Sequence, residues 1–487
     1  MKEVHMKGWK LGFVFLVFLL AAQVFGQGCP PPTNIPVGTC TPQSGTIQNF
    51  AGDTGPMRVR KSIFKLTAAE VADLKLAFQK LRALPASDPR TWIAQANVHC
   101  WYCGGGTTTV PDVHSNWAFL PWHRDYLYNL EKTLGSLIGK PDFALPYWDW
   151  NTADTTNCTG HLKVPPPYLG GPVTSNSLFN CYRKISSSST MDVNRVGPAR
   201  INNLLTNNNT FDLFFGTATS SSAMSPGPHG YVHLWIGNPA TLSGTQDMGI
   251  LDTAARDPLF WAHHANIDRI WEMWIARYGT PTYPTNFKNQ NWVFWNQNKV
   301  RTRYTGDDAA NRATRLKYRY DPPCGSLSVT TIPDLVTLTP TPMTVHAQAD
   351  VPSDREFNIK GVTGRHVVLH LEDVSVPADE AVILRVYINK PSATASESVN
   401  DVAGAGNLVE ELFIVPSRSP GAEHHEGHEH KMHIKIPLPP DIAAEVERAK
   451  GEVDVTIVPV TAGDEGVLMA APQAVHVTLK KPYISVE

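Results

Sequence analysis

Six histidines in two triplets constrain this chain more than any other feature. The first triplet is His99, His114 and His123, and the second is His229, His233 and His264. Three neutral imidazoles per metal, with no carboxylate at matching spacing, suit redox-active copper better than magnesium or calcium. Two such sets point to a pair of copper ions that take up O2 together. In the second triplet, His229 and His233 are four apart, which puts both on one face of a helix. The stretch Asp257 to His264 supplies the third imidazole at the head of another expected helix. A zinc-protease reading fails because no Glu follows His229, so that motif's general base is missing. An HxxxH pair alone more often marks packed or surface histidines, so the weight rests on the two sets together.

The first triplet is less regular. His99 closes a polar helical stretch and precedes Cys100-Trp101-Tyr102-Cys103 and three glycines. His123 follows Pro121, which suits a first helical turn because its missing N–H costs nothing there. Phe119 stands four before His123, just as Phe260 stands four before His264. That echo predicts two related half-sites, each an imidazole beside an aromatic ring.

Four stretches, Gln95 to Cys103, His114 to Arg124, His229 to Gly237 and Arg256 to Trp271, together resemble the type-3 copper polyphenol oxidases. These are the tyrosinases and catechol oxidases, and the likeness is to the plant type. It spans most of residues 56 to 320. The resemblance implies two copper ions held by His99, His114, His123, His229, His233 and His264, with the adjacent His263 a non-ligand. It also implies a thioether between Cys103 and His114, and a disulfide from Cys100 back to the N-terminal region. The implied activity is oxidation of o-diphenols to o-quinones by O2, with weaker hydroxylation of monophenols. The implied partners are O2, small phenols and an activating protease. Two alternatives use the same ligands: an o-aminophenol oxidase and a haemocyanin-like O2 carrier.

Departures from the family pattern sharpen the expectation. Ser225 and Gly230 stand where plant enzymes often carry a Glu and an Asn that hold a deprotonating water, and neither can act as a base. Leu251, thirteen before His264, replaces the usual gate Phe and is the expected substrate gate. Asp268, four after His264, is the expected carboxylate that orients an imidazole, with Phe119 and Phe260 packed beside the ligands. Asn266 and Asp257 are weaker helpers of the same kind.

Organisation follows from pattern and length. A chain of 487 residues predicts two domains plus a leader, and a net charge of −2 gives no hint of nucleic acid. Lys2, Lys7 and Lys10 precede an apolar run from Leu11 to Phe25, which reads as a secretory signal over residues 1–26 and a secreted or periplasmic protein. Residues 27–325 form the expected catalytic domain, a mainly α core in which a four-helix bundle carries the dicopper site. Helices are expected over Thr67 to Ala83, opened by a Thr67–Glu70 capping box, over Pro121 to Leu137, and over Leu259 to Arg277. Polar residues 151–225 read as loops. A Pro- and Thr-rich linker is expected over 326–352, and a C-terminal all-β sandwich over 353–487, the cover of a latent proenzyme. Seven cysteines fit an oxidising compartment; setting Cys103 aside leaves six, whose connectivity stays open. His161 and the run His424 to His433 read as ordinary structural or solvated residues.

Overall fold

The computed structural model describes residues 44–105, 112–155, 158–172, 174–237, 247–322, 343–349, 366–376, 381–390, 392–393, 408–416, 431–448, 452–462, 468–469, 479 and 482–486. The leader expected over 1–26 and most of the histidine run before Lys431 lie outside them. No helix among the described residues is long and apolar enough to cross a membrane.

Helix α1 (Ala68–Arg82) starts at Thr67, whose side chain accepts from the Glu70 N–H while Glu70 accepts from the Thr67 N–H. This is the reciprocal cap those two residues predict. Helix α2 (Trp92–Cys100) runs into a π-helical turn, Trp101–Gly105. Helix α3 (Phe119–Ile138) begins two residues before the expected Pro121 and ends on Gly139 at φ 69°. That left-handed angle suits glycine, which has no Cβ to clash. Helices α4 (Val193–Val196), α5 (Pro198–Asn207) and α6 (Phe211–Phe215) interrupt the stretch read as loops. Ile201, Leu204 and Leu205 explain α5: their i, i+3, i+4 spacing gives it a buried face despite polar neighbours. Helices α7 (Gly230–Ile236), α8 (Leu251–Ala254) and α9 (Pro258–Tyr278) follow. Asp257 caps α9 by accepting from the Leu259 N–H, and Pro258 takes the first position.

Helices α3 and α9 are buried along most of their lengths and carry charges into the core. The charges are matched there. Arg60 donates to Glu131 at 2.8 Å and to Asp268 at 3.0 Å, Arg124 to Asp268 at 2.5 Å, and Arg58 to Glu131 at 2.7 Å. The hydroxyls of Tyr318 and Tyr320 also donate to Asp268, at 2.6 and 2.5 Å. Strand β1 (Ile47–Asn49) pairs with β4 (Arg301–Thr305), which also pairs with β3 (Asn291–Trp295). Strand β2 (Arg58–Arg60) pairs in parallel with β5 (Tyr318–Tyr320), and the Arg60 guanidinium lies 3.7 Å from the Tyr318 ring centroid. The ion network therefore pins both ends of the helical region to its two central helices.

Among the described residues, the C-terminal region is all-β apart from one helix, Pro440–Arg448. Strands β6 (Met343–Ala349), β7 (Val367–Ser375), β8 (Val382–Ile388), β9 (Leu408–Ile414), β10 (Lys431–Pro437), β11 (Glu452–Ala462), β12 (Leu468–Met469) and β13 (Tyr483–Val486) hydrogen-bond in the order β10-β7-β13-β6-β11-β8-β9, with β12 on β11. Strand β6 corrects the expected linker over 326–352. Its backbone fills the gap between β11 and β13, a pairing that Pro- and Thr-rich surroundings conceal in sequence. Alternation on β8 sets the docking: Val382, Leu384, Val386 and Ile388 join the sheet's own core, while Ile383 and Tyr387 join the core built by the helices.

Arg60→Ala should leave Glu131 and Asp268 as buried, under-compensated carboxylates and destabilise the protein by about 3–5 kcal/mol. Denaturant unfolding of the metal-free protein measures this, and a loss near that of a surface arginine would contradict the network's role.

Candidate metal centre

The structure brings all six predicted imidazoles into one buried cluster. His99 comes from the end of α2, His114 from the loop before α3, His123 from α3, His229 from a π-helical turn before α7, His233 from α7 and His264 from α9. Every one is nearly or wholly excluded from solvent. Rings from the two triplets interleave: His123 and His264 stack at 4.2 Å and 8°, and His114 and His229 at 5.6 Å and 26°. The two phenylalanines cross over in the same way. Phe119 packs on His123 of its own half and on His229 of the other, while Phe260 packs on His264 and on His99.

What orients the rings is mainly backbone. His99 Nδ1 donates to Leu251 O at 2.7 Å, His123 Nδ1 to Phe119 O at 2.7 Å, His229 Nδ1 to Ser225 O at 2.9 Å, and His233 Nδ1 to Met248 O at 2.7 Å. His114 Nδ1 faces Asp112 Oδ1 at 3.2 Å. A carbonyl can only accept, so the proton of these neutral rings sits on Nδ1 and the Nε2 lone pair is left free. The Nε2 atoms of His99, His114, His123 and His229 have no hydrogen-bond partner although buried. His233 Nε2 and His264 Nε2 face each other at 3.3 Å. Each unsatisfied buried polar atom costs about 1–3 kcal/mol. Several lone pairs aimed into one dry space fit a cation that accepts imidazole nitrogen, and the nitrogen-only donor set fits copper.

His263 lies in the same cluster, but its chemistry differs. Trp150 Nε1 donates to His263 Nδ1 at 3.1 Å, so the neutral ring carries its proton on Nε2 and has no lone pair left for a metal. Burial, reinforced by neighbouring imidazoles, holds His99, His123, His229 and His264 well below the usual histidine range. His233 falls to about 3 by burial, with a bond to Met248 opposing the shift. These five rings are thus neutral, as ligands must be.

Asp268 does not orient an imidazole. Its oxygens are taken by Arg124, Arg60, Tyr318 and Tyr320, because position 268 sits on the face of α9 turned to the ion network. Asp257 is a helix cap paired to Arg183 at 2.5 Å, and Asn266 bonds Asn151, so neither helper touches the imidazoles. Sequence reasoning missed Asp112, which stands two before His114. It also missed the i−4 carbonyls of Phe119 and Ser225, although the four-residue spacing was visible. His161 is wholly buried, not a surface residue, and lies 3.4 Å from Asp149.

Cys103 is a free, fully buried thiol whose Sγ lies within 4.8 Å of ligand nitrogens of His99 and His114. Cys100, Cys158 and Cys181 are disulfide-bonded. Leu251 is buried at the first position of α8; its carbonyl holds His99 and its N–H donates to Pro416 O at 2.9 Å. Next to His229, a Cβ on Gly230 would overlap the Phe413 carbonyl. The segment from Phe413 to Pro416 therefore touches the chain beside His229 at one end and Leu251, whose carbonyl holds His99, at the other.

Comparison with known proteins agrees with this geometry. The family profile for the common central domain of tyrosinase matches residues 89–181 and 172–277. The latent polyphenol oxidase of Prunus armeniaca is 32% identical over 336 residues, covering 60% of this chain and 54% of its own. The chain thus spans about half the length of the curated relatives it matches. A solved latent aurone synthase (polyphenol oxidase) superposes with TM-score 0.68 at 23% identity, over 92% of this chain and 93% of that one. A latent apple tyrosinase does so with TM-score 0.68 at 22% identity, over 91% and 100%. These two establish the fold. The expectation of a secreted or periplasmic protein is overturned, because the Prunus relative and others are named chloroplastic. A basic-then-apolar leader reports that a chain is handed to a translocation machine and not which compartment lies beyond.

Unfolded histidines titrate near 6.5, whereas these folded ones are held lower. The unfolded chain then binds more protons, so stability present above that pH is lost as pH falls towards the folded values. Thermal denaturation of metal-free protein between about pH 7 and 5 should show a midpoint that declines below about 6.5. A flat midpoint would contradict burial of neutral rings.

Proposed function

We propose that this chain, similar to the type-3 copper polyphenol oxidases across its central region, oxidises o-diphenols to o-quinones. Two diphenols and one O2 give two quinones and two waters. The observation that carries this reading is the set of buried, partnerless imidazole Nε2 atoms converging from two triplets. The relatives at 30–32% identity support an enzyme over an oxygen carrier.

His99, His114 and His123 would hold one copper, and His229, His233 and His264 the other. When bound, the pair supplies the electron exchange between phenol and O2. The chain supplies the rest. Backbone acceptors lock the tautomers of His99, His123, His229 and His233, so the metal-facing nitrogen of each is a lone pair before any metal arrives. Phe119 and Phe260 wedge the rings from both halves and keep water out. A thioether from Cys103 to His114 would fasten the one ligand carried on a loop, and the proximity of thiol and ring supports it. Leu251 is the proposed gate, a slim lid that admits varied phenols.

Diphenol oxidation is favoured over monophenol hydroxylation. Hydroxylation needs a base at the mouth, and the Ser225 hydroxyl is already spent donating to His114 O at 3.0 Å. Gly230 offers no side chain at all.

The C-terminal sheet is the proposed cover of a latent form. Arg195 pairs with Glu411 at 3.1 Å, Arg385 with Glu411 at 2.8 Å, and Arg200 with Glu410. Burial pushes Glu411 up, but Arg195 and Arg385 outweigh it and hold its carboxyl below the usual range. Tyr231 meets the Phe413 ring edge-on at 5.3 Å. Gly230 is then explained by fit, since any larger residue would push against the covering strand.

Copper-loaded protein cut by a protease between residues 326 and 342 should hold two coppers per chain and turn over catechol faster than tyramine. One copper or fewer, or faster tyramine turnover, would refute the assignment. Replacing His123 and His264 together by alanine should abolish oxygen uptake. In the uncut chain, Glu411→Ala removes the carboxylate shared by Arg195 and Arg385 and should raise catechol oxidation by about tenfold or more. An unchanged rate would remove the cover from the account.

A further inference from the structure

We infer that Ser225 is a positioning residue that braces the two halves of the site against each other, an inference that rests on the dicopper reading above. Ser225 opens the π-helical turn Ser225–His229, and its side chain is buried. Its carbonyl accepts from His229 Nδ1 at 2.9 Å, fixing a ring of the second triplet. Its hydroxyl donates to His114 O at 3.0 Å, fixing the backbone that carries a ring of the first. Those same two rings stack across the centre at 5.6 Å. One residue thus bonds to both members of the pair through two different atoms.

The brace falls where the site is least supported. His99, His123 and His233 ride on helices, whereas His114 stands in the loop ahead of α3. That loop's other holds include Asp112, whose carboxylate accepts from the His114 N–H at 2.9 Å and whose carbonyl accepts from Asn116 Nδ2 at 2.8 Å, and two backbone bonds, from the Val113 N–H to Tyr102 O at 3.1 Å and from the Trp117 N–H to Thr217 O at 2.9 Å. Of these, the Trp117 bond also reaches a distant segment, but it acts three residues past His114 and does not fix the His114 carbonyl itself. The Ser225 hydroxyl does. Residue choice follows from chemistry: the partner is a carbonyl, so the side chain must be a donor, and an ionised carboxylate here would be acceptor against acceptor. Serine at this position exchanges a base for a strut. A strut acts on the spacing of the two imidazole sets, so its loss should weaken binding of peroxide, which would draw on the metals of both sets, and leave recognition of the phenol ring alone.

The test uses full-length chain loaded with copper, in wild-type, Ser225→Ala and Ser225→Thr forms. Read out are copper per chain, apparent affinity for hydrogen peroxide by absorbance titration, and kcat and KM for catechol after linker cleavage. Hydrogen exchange of residues 112–116 in the metal-free proteins gives a measure independent of turnover. Ser225→Ala should keep two coppers and its KM, and lose about fivefold to tenfold in peroxide affinity and in kcat, as expected for one lost hydrogen bond. Its 112–116 loop should exchange faster, and Ser225→Thr should restore all three. Peroxide affinity equal to wild type in Ser225→Ala would overturn the proposal, as would a Ser225→Thr protein as impaired as the alanine form. A wild-type chain holding fewer than two coppers would instead sink the functional reading beneath it.

Discussion

A neutral imidazole has one proton and one lone pair, and this site works by deciding where each goes. Carbonyls of Leu251, Phe119, Ser225 and Met248 take the Nδ1 protons, and the Nε2 lone pairs are turned inward. Burial then forbids protonation of the inner nitrogens, so the ligand set is prepared without a metal. Everything around it serves that arrangement. Helices α3 and α9 must run side by side to deliver His123 and His264 face to face, and the buried ion network on Asp268 and Glu131 holds them there. The cost of burying those charges is met by near-complete pairing, which also explains why the network is intolerant of losing one partner.

The two halves of the site are related but not equivalent. In each, a phenylalanine four residues before a histidine packs on its ring and reaches across to the other triplet. Yet one half puts a ligand on a loop, and there Asp112, Cys103 and Ser225 converge on His114. The covering sheet uses the same economy of contact. It reaches the site through Phe413 against Gly230 and Pro416 against Leu251, while Glu410 and Glu411 anchor it to α4 and α5.

Much was legible in the chain itself. The histidine spacings, the Thr67–Glu70 cap, the helix expected from Leu259 and the strand-rich tail are all local patterns, and local patterns survive in sequence. The failures share a different cause. Asp268 was assigned by its place four after His264, but a helix has more than one face, and neighbouring chains decide which face meets which partner. Strand β6 hid among prolines because its partners, β11 and β13, lie more than a hundred residues onward. The backbone acceptors of the imidazoles could not be read at all, since every residue has a carbonyl.

Residue identity by itself determined the chemistry: six nitrogen donors in two sets, no base at positions 225 and 230, and a strand-rich tail able to form a cover. Only the folded chain decided the tautomers, the division of labour between His263 and His264, the brace at Ser225 and the fit of Phe413 over Gly230. The reason is physical. Which atoms a side chain can offer is a property of its type, whereas which of them is spent on a neighbour depends on segments brought together from far apart in sequence.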